Sequence, residues 1–178
     1  MKRLFFCLLA ALFSQALSGT DTVISKLELS CEKGQLVFSL EISDPFQGAN
    51  LEKLKSGLDV SFRLQVEIRR PRKLLPDRVL IERIYSVNSS LRPRENDYSF
   101  VLMDENMILE VQHGLSLDQV RQRMSAMSEL AVSGEGRLQQ QEEYVFAVRA
   151  LVGRRYLLGL VPLALKTPWR EARFIFRQ

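Results

Sequence analysis

Few side chains in this 178-residue chain could carry acid–base or nucleophilic chemistry. It contains one histidine and two cysteines. A histidine base needs a nucleophile beside it and a partner that orients its ring. His113 has Ser116 and Asp118 close by in the sequence, but these two residues fit a helix N-cap and an acidic first turn. We therefore interpret His113 as a structural or surface residue.

Carboxylates and metal ligands form no stronger pattern. Asp104 and Glu105 are adjacent, and paired carboxylates can hydrolyse a glycosidic bond without histidine. Both lie in a predicted hairpin turn, however, where Asp is common for conformational reasons. The chain has no His-x-x-x-His, Cys-x-x-Cys, calcium-loop or glycine-rich phosphate-loop spacing. We predict no cofactor, no metal, no small-molecule ligand and no enzymatic activity. The alternative is an envelope hydrolase whose carboxylate site is not evident from the sequence.

The N-terminus has the layout of a secretory signal peptide. Lys2 and Arg3 precede an apolar run at residues 4–13, and residues 16–18 form a small-x-small cleavage site. A membrane-spanning helix needs roughly 20 apolar residues, which is more than this run supplies. We predict a signal peptide at residues 1–18 and export to the periplasm or the outer face of the cytoplasmic membrane. An uncleaved N-terminal anchor is the alternative.

Cleavage would change both the cysteine content and the charge. Cys7 would leave with the signal peptide, so Cys31 would stand alone and could form no internal disulfide. We expect Cys31 to be buried in a strand, with intermolecular pairing as the alternative. Lys2 and Arg3 would leave as well, which lowers the formal net charge below +4. A small net charge and an exported destination argue against a nucleic-acid partner.

The rest of the chain reads mostly as strands. Apolar and polar residues alternate with period two, most clearly at residues 58–69, which indicates strands with one buried face. Short turns between them favour antiparallel pairing. We predict a mainly β fold, an antiparallel β-sandwich-like domain over residues 23–178. Its predicted strands are residues 26–31, 36–42, 58–69, 79–87, 96–104, 107–112, 143–152 and 171–177.

Helical spacing predicts one main amphipathic helix at residues 117–130. Ser116 and Gln119 match a capping box, and apolar residues follow at helical intervals as far as Met127 and Leu130. We expect this helix to pack on a sheet. One or two further helical turns are expected at residues 50–56.

Two stretches are candidate contact surfaces. Residues 69–78 contain five basic residues and two leucines at a predicted hairpin tip. They form either a solvated loop or a surface for an anionic membrane or an acidic partner, where each base contributes roughly 1 kcal/mol. The candidate contact residues are Arg69, Arg70, Arg72, Lys73, Leu74 and Leu75. The second stretch, residues 154–166, has an uncharged centre, which we interpret as buried core, with an exposed apolar patch as the alternative.

Several segments also resemble a known family. The resemblance extends over most of the chain after the predicted signal peptide and is to a family of uncharacterised bacterial exported proteins, a domain of unknown function often encoded beside sensor-kinase genes. It includes residues 27–29, 34–36, 56–62, 69–72 and 116–130, together with Glu67 and Trp169. This chain departs from the family at residues 72–76, Arg-Lys-Leu-Leu-Pro, where relatives carry a tryptophan-rich turn. The resemblance implies an exported location and an architecture. It supplies no site residues, because the family has no established activity.

The sequence thus predicts an exported cell-envelope domain that is a non-enzymatic binding or accessory module. Its expected partner is an envelope protein, with a sensor kinase as a candidate, or an anionic membrane surface.

Overall fold

Two antiparallel sheets form the layers of this computed structural model, which describes residues 22–32, 35–43, 45, 49–132, 136–157 and 161–176. The predicted signal peptide at residues 1–18 lies outside these residues. The helices among the described residues are α1 (Ala49–Lys55) and α2 (Leu117–Ser125). The strands are β1 (Val23–Glu32), β2 (Gln35–Ser43), β3 (Val60–Arg70), β4 (Arg78–Arg92), β5 (Asp97–Asp104), β6 (Met107–Leu115), β7 (Ala126–Val132), β8 (Glu143–Leu157), β9 (Val161–Lys166) and β10 (Arg170–Ile175).

The smaller sheet has the order β1–β2–β7, and the larger has the order β10–β8–β3–β4–β5–β6. Strand β9 pairs with the second half of β8. All of these pairs are antiparallel. The mainly β, antiparallel, sandwich-like prediction is confirmed.

The hydrophobic core lies between the two sheets. Phe38 of β2 contacts Tyr85 of β4 and Phe146 of β8, with ring centroids 5.7 and 5.0 Å apart. The Tyr85 hydroxyl donates to the Ala131 carbonyl of β7 at 2.9 Å, which ties the sheets together. Every second residue of β3 from Val60 to Ile68 is buried against this core. The polar residues between them therefore face outward.

The main helix is shorter than the sequence predicts. Its capping box is confirmed, with the Gln119 N–H donating to the Ser116 hydroxyl at 3.3 Å and the Ser116 N–H donating to the Gln119 side chain at 2.8 Å. The helix ends at Ser125, however, and the residues beyond it form β7. Met127 and Leu130 are buried three positions apart because β7 bulges, placing two residues opposite one of β2. A strand with a bulge at this point imitates helical spacing.

Other boundaries also differ. Strand β3 begins at Val60, which leaves Leu58 exposed, and β4 continues past residue 87 to Arg92. Cys31, expected to be buried, is exposed, because it lies on the edge strand β1 near its end. Residues 154–166 contribute to β8 and β9, but the burial of residues 154–164 lies outside the description. Neither described helix has the length and apolar character that crossing a membrane requires.

Candidate functional site

The loop that joins β3 to β4, residues 71–77, projects into solvent. The Arg72 N–H donates to the Asp77 carboxylate at 3.3 Å and closes the loop. Leu74 is 96% exposed and Leu75 62% exposed, and Leu74 is the most exposed large apolar side chain among the described residues. An apolar side chain held in water contributes no burial to the fold. Folding therefore does not explain these leucines.

Basic side chains surround the two leucines. Arg72, Lys73 and Arg78 are exposed, and none forms a salt bridge with an acidic side chain in the part of the chain that the structure describes. We use the name loop tip for Arg72, Lys73, Leu74 and Leu75. The loop tip combines one almost fully exposed leucine and one largely exposed leucine with two positive charges.

Arg69 lies apart from the loop tip, on the outer face of the larger sheet. Its side chain is 15% exposed, and its Nε donates to the Glu67 carboxylate at 2.7 Å. Its Nη1 donates to Glu171 at 3.0 Å, and its Cζ lies 4.4 Å from the centroid of the Trp169 ring. Arg69 is therefore held in structural contacts, and we leave it out of the proposed contact residues.

The same outer face carries a connected polar network. The Gln65 amide donates to Glu67 at 3.0 Å and to Glu82 at 2.8 Å. The Gln65 oxygen accepts two hydrogen bonds from Arg149, whose Cζ lies 4.2 Å from the Trp169 ring centroid. Gln65 lies on β3, Glu82 on β4 and Arg149 on β8, so these hydrogen bonds link the three strands. The family resemblance includes Trp169, but no sequence pattern indicates its two arginine neighbours.

Three arginines line a cavity of about 420 Å³ at the base of the loop. Arg70 forms an ion pair with Glu142, and the Arg137 Nη1 donates to the Leu80 carbonyl at 3.1 Å. Arg78 is the cross-strand partner of Arg70. Arg70 and Arg78 belong to the same predicted hairpin tip, whereas only the fold brings Arg137 to this position.

Asp104 is a carboxylate with a partly buried side chain at the end of β5. Its Oδ1 is buried and has no hydrogen-bond partner among the described residues. Burial raises the pKa of Asp104, against the opposing effect of Arg83 and with a further rise from Glu105. The neighbouring Glu105 carboxylate lies 3.5 Å from Arg83, so it is already engaged. A hydrolytic pair needs two carboxylates that flank a substrate, and these two are consecutive residues at a turn.

The remaining catalytic candidates from the sequence do not form a site among the described residues. His113 is an exposed residue of β6, and Ser116 is engaged in the helix cap. Within the described ranges, no three His, Cys, Asp or Glu side chains are grouped in a way that could hold a metal ion.

Comparison with known proteins supplies a family and no activity. A protein-family model matches residues 20–158, and the family is described as a domain of unknown function. No curated protein and no solved structure matches the chain. Function has to be inferred from the chain's own surface.

Proposed function

The chain belongs to the DUF4390 family, a domain of unknown function, and we propose that it is a non-enzymatic accessory domain of the bacterial cell envelope that docks on an anionic membrane surface through its loop tip. The observation that carries this proposal is the exposure of Leu74 and Leu75, at 96% and 62%, directly after Arg72 and Lys73. Export through the predicted signal peptide would bring this surface to the periplasm or to the outer face of the cytoplasmic membrane.

The chemistry of the loop tip suits the boundary between lipid headgroups and acyl chains. Burying a leucine side chain fully is worth about 1.5–3 kcal/mol, and each base near an anionic surface adds roughly 1 kcal/mol. Two leucines and two bases therefore supply at most about 5–8 kcal/mol, and the cost of association offsets much of this gain. We expect weak, reversible and salt-sensitive binding, which suits an accessory domain.

An acidic surface on an envelope protein, with a sensor kinase as a candidate, is the other partner that the bases would suit. The two leucines favour the membrane, because Leu74 is exposed on nearly all of its surface rather than forming one wall of a groove. A protein partner is an outcome that the following experiment can detect.

Co-sedimentation with vesicles tests the proposal. The purified protein should bind vesicles that contain phosphatidylglycerol at low salt, bind less at moderate salt, and ignore neutral phosphatidylcholine vesicles. The double variant Arg72→Ser/Lys73→Ser should bind about 30-fold more weakly and with a flatter salt dependence, which corresponds to roughly 2 kcal/mol. Leu74→Ser should also weaken binding, whereas Leu58→Ser, an exposed leucine outside the loop, should not.

Thermal melting is the control, because exposed side chains contribute little stability and every variant should keep its melting temperature. Equal binding of the wild type and both loop variants would reject the loop tip as a lipid contact. Failure to bind any vesicle, together with salt-sensitive binding to a sensor-kinase extracytoplasmic domain, would replace the membrane with a protein partner.

A further inference from the structure

The three-arginine cavity has a charge arrangement that the fold alone does not favour. Arg70 and Arg78 are directly opposite each other at the end of the β3–β4 ladder. Like charges directly opposite on neighbouring strands destabilise a sheet. Arg137 adds a third guanidinium from the segment between β7 and β8, fixed by its hydrogen bond to the Leu80 carbonyl. An anion between these side chains would turn the repulsion into attraction.

The charges around the cavity define the anion. Glu142 offsets the charge of Arg70, and the carbonyl bound by Arg137 carries no net charge. Among the described residues, Arg78 forms no salt bridge and no acidic side chain lines the cavity. Within the described part of the chain, two positive charges of the cavity are therefore left uncompensated. A phosphomonoester carries about −1.5 to −2 charges at pH 7 and three acceptor oxygens, which balances them. A carboxylate or a phosphodiester carries one negative charge and would balance only one of the two positive charges.

The chemistry of the side chains agrees with the charge. The planar guanidinium groups of arginine bind phosphate oxygens with two parallel hydrogen bonds, which makes arginine the preferred residue for phosphate recognition. Gln139 also lines the cavity. A cavity of about 420 Å³ leaves ample room for a phosphate and the first atoms attached to it.

We propose that this cavity binds a phosphomonoester carried by the headgroup of a membrane lipid, an inference that rests on the proposed membrane docking. Leu74 follows Arg70 by four residues, so the two lie within about 14 Å even in a fully extended chain. Entry of the loop tip into the acyl boundary thereby brings the cavity to the level of the headgroups.

Two vesicle compositions of matched surface charge separate this site from general electrostatic attraction. Phosphatidic acid presents a phosphomonoester and phosphatidylglycerol a phosphodiester. We expect about tenfold tighter binding to phosphatidic acid vesicles, the effect of one additional charge-assisted hydrogen bond. Arg78→Gln should abolish this preference while the leucines keep part of the binding to phosphatidylglycerol vesicles. Arg94→Gln, an exposed arginine in the β4–β5 turn, should preserve the preference.

Calorimetric titration with inorganic phosphate forms the second arm. Wild-type protein should bind phosphate, and Arg78→Gln should bind it about tenfold more weakly. Arg137→Gln should act in the same way, so that two substitutions in different segments test one cavity. Melting temperatures confirm that each variant is folded.

The possible results distinguish the proposal for the cavity from the proposal for the loop tip. Equal affinity for both vesicle types, unchanged by Arg78→Gln, would overturn the phosphomonoester site and leave membrane docking intact. Binding of inorganic phosphate without binding to any vesicle would overturn the lipid source and the membrane proposal, and would leave a site for a soluble phosphate compound. Failure to bind either phosphate or vesicles would overturn both proposals.

Discussion

Replacing Arg69 with serine should destabilise the protein, while the same change at Arg72 should have almost no effect on stability. The Glu67 side chain is only 11% exposed and accepts a hydrogen bond from the Arg69 Nε at 2.7 Å. Without Arg69, the Glu67 carboxylate would keep only the Gln65 amide at 3.0 Å as a hydrogen-bond donor. An inadequately paired charge would then remain in a largely buried position.

The size of the effect follows from these contacts. Removing one partner of a buried ion pair costs about 3–5 kcal/mol, and the partial exposure here together with the remaining Gln65 bond reduces this to about 2–3 kcal/mol. The contact of Arg69 with the Trp169 ring, at 4.4 Å, adds about 0.5–1 kcal/mol. For a domain of this size, a total near 3 kcal/mol lowers the melting temperature by roughly 6–12 °C.

Urea unfolding and thermal melting measure the change. Arg72→Ser is the matched control, because it also removes an arginine and should change the unfolding free energy by less than about 0.5 kcal/mol. The double variant Glu67→Gln/Arg69→Ser should regain part of the stability, since no buried charge would be left. If Arg69→Ser proved as stable as Arg72→Ser, the outer network would not hold the sheet together and Arg69 would return to the candidate contact residues.

Three other substitutions test the fold and its electrostatics. Phe38→Ala should cost about 3–5 kcal/mol in urea unfolding, because it opens a cavity between the sheets; a loss below 1 kcal/mol would be inconsistent with the packing described. Ser116→Ala should cost about 1 kcal/mol by removing the helix cap, with Ser61→Ala, an exposed strand serine, as the control. Burial raises the pKa of Asp104, so the folded state binds this proton more tightly than the unfolded state, and stability falls as pH rises from the ordinary Asp value towards the raised one. Asp104→Asn should remove that fall and stabilise the protein at neutral pH, and an unchanged pH profile of the unfolding free energy would contradict the assignment.

Much of the fold could be predicted from local alternation. Strand β3 buries every second residue from Val60 to Ile68, so its period is visible without knowledge of its neighbours. The sequence pattern predicts a helix where β7 lies, because the bulge of β7 separates Met127 from Leu130 by three positions, as in a helix. The pairing of β7 with β2 is a long-range contact, and no local pattern reports it.

The candidate site also contains residues that a local sequence pattern indicates and residues that only the fold brings together. The composition of residues 69–78 indicates the loop, but the stretch contains two kinds of residue. Arg69 is held in contacts on the sheet, whereas the loop tip is exposed to solvent. Arg69 continues the outward-facing alternation of Gln65 and Glu67, a signal that the sequence contains and that would have separated it from the loop tip. Arg137 reaches the cavity only because the chain returns past Leu80. Side chains that converge from distant segments carry no spacing that could be recognised in advance.

Insertion of the loop tip into an anionic membrane can be measured directly with a tryptophan at position 74. We would compare the fluorescence of Leu74→Trp with that of Leu58→Trp, whose side chain is also exposed but lies outside the loop, so that the signal from Trp169 is common to both. On phosphatidylglycerol vesicles at low salt, Leu74→Trp should shift its emission to shorter wavelength and be quenched by brominated acyl chains, and added salt should reverse both effects. Leu58→Trp should show neither. Unchanged emission from Leu74→Trp on vesicles that retain the protein, or an equal shift in both variants, would contradict membrane docking through the loop tip.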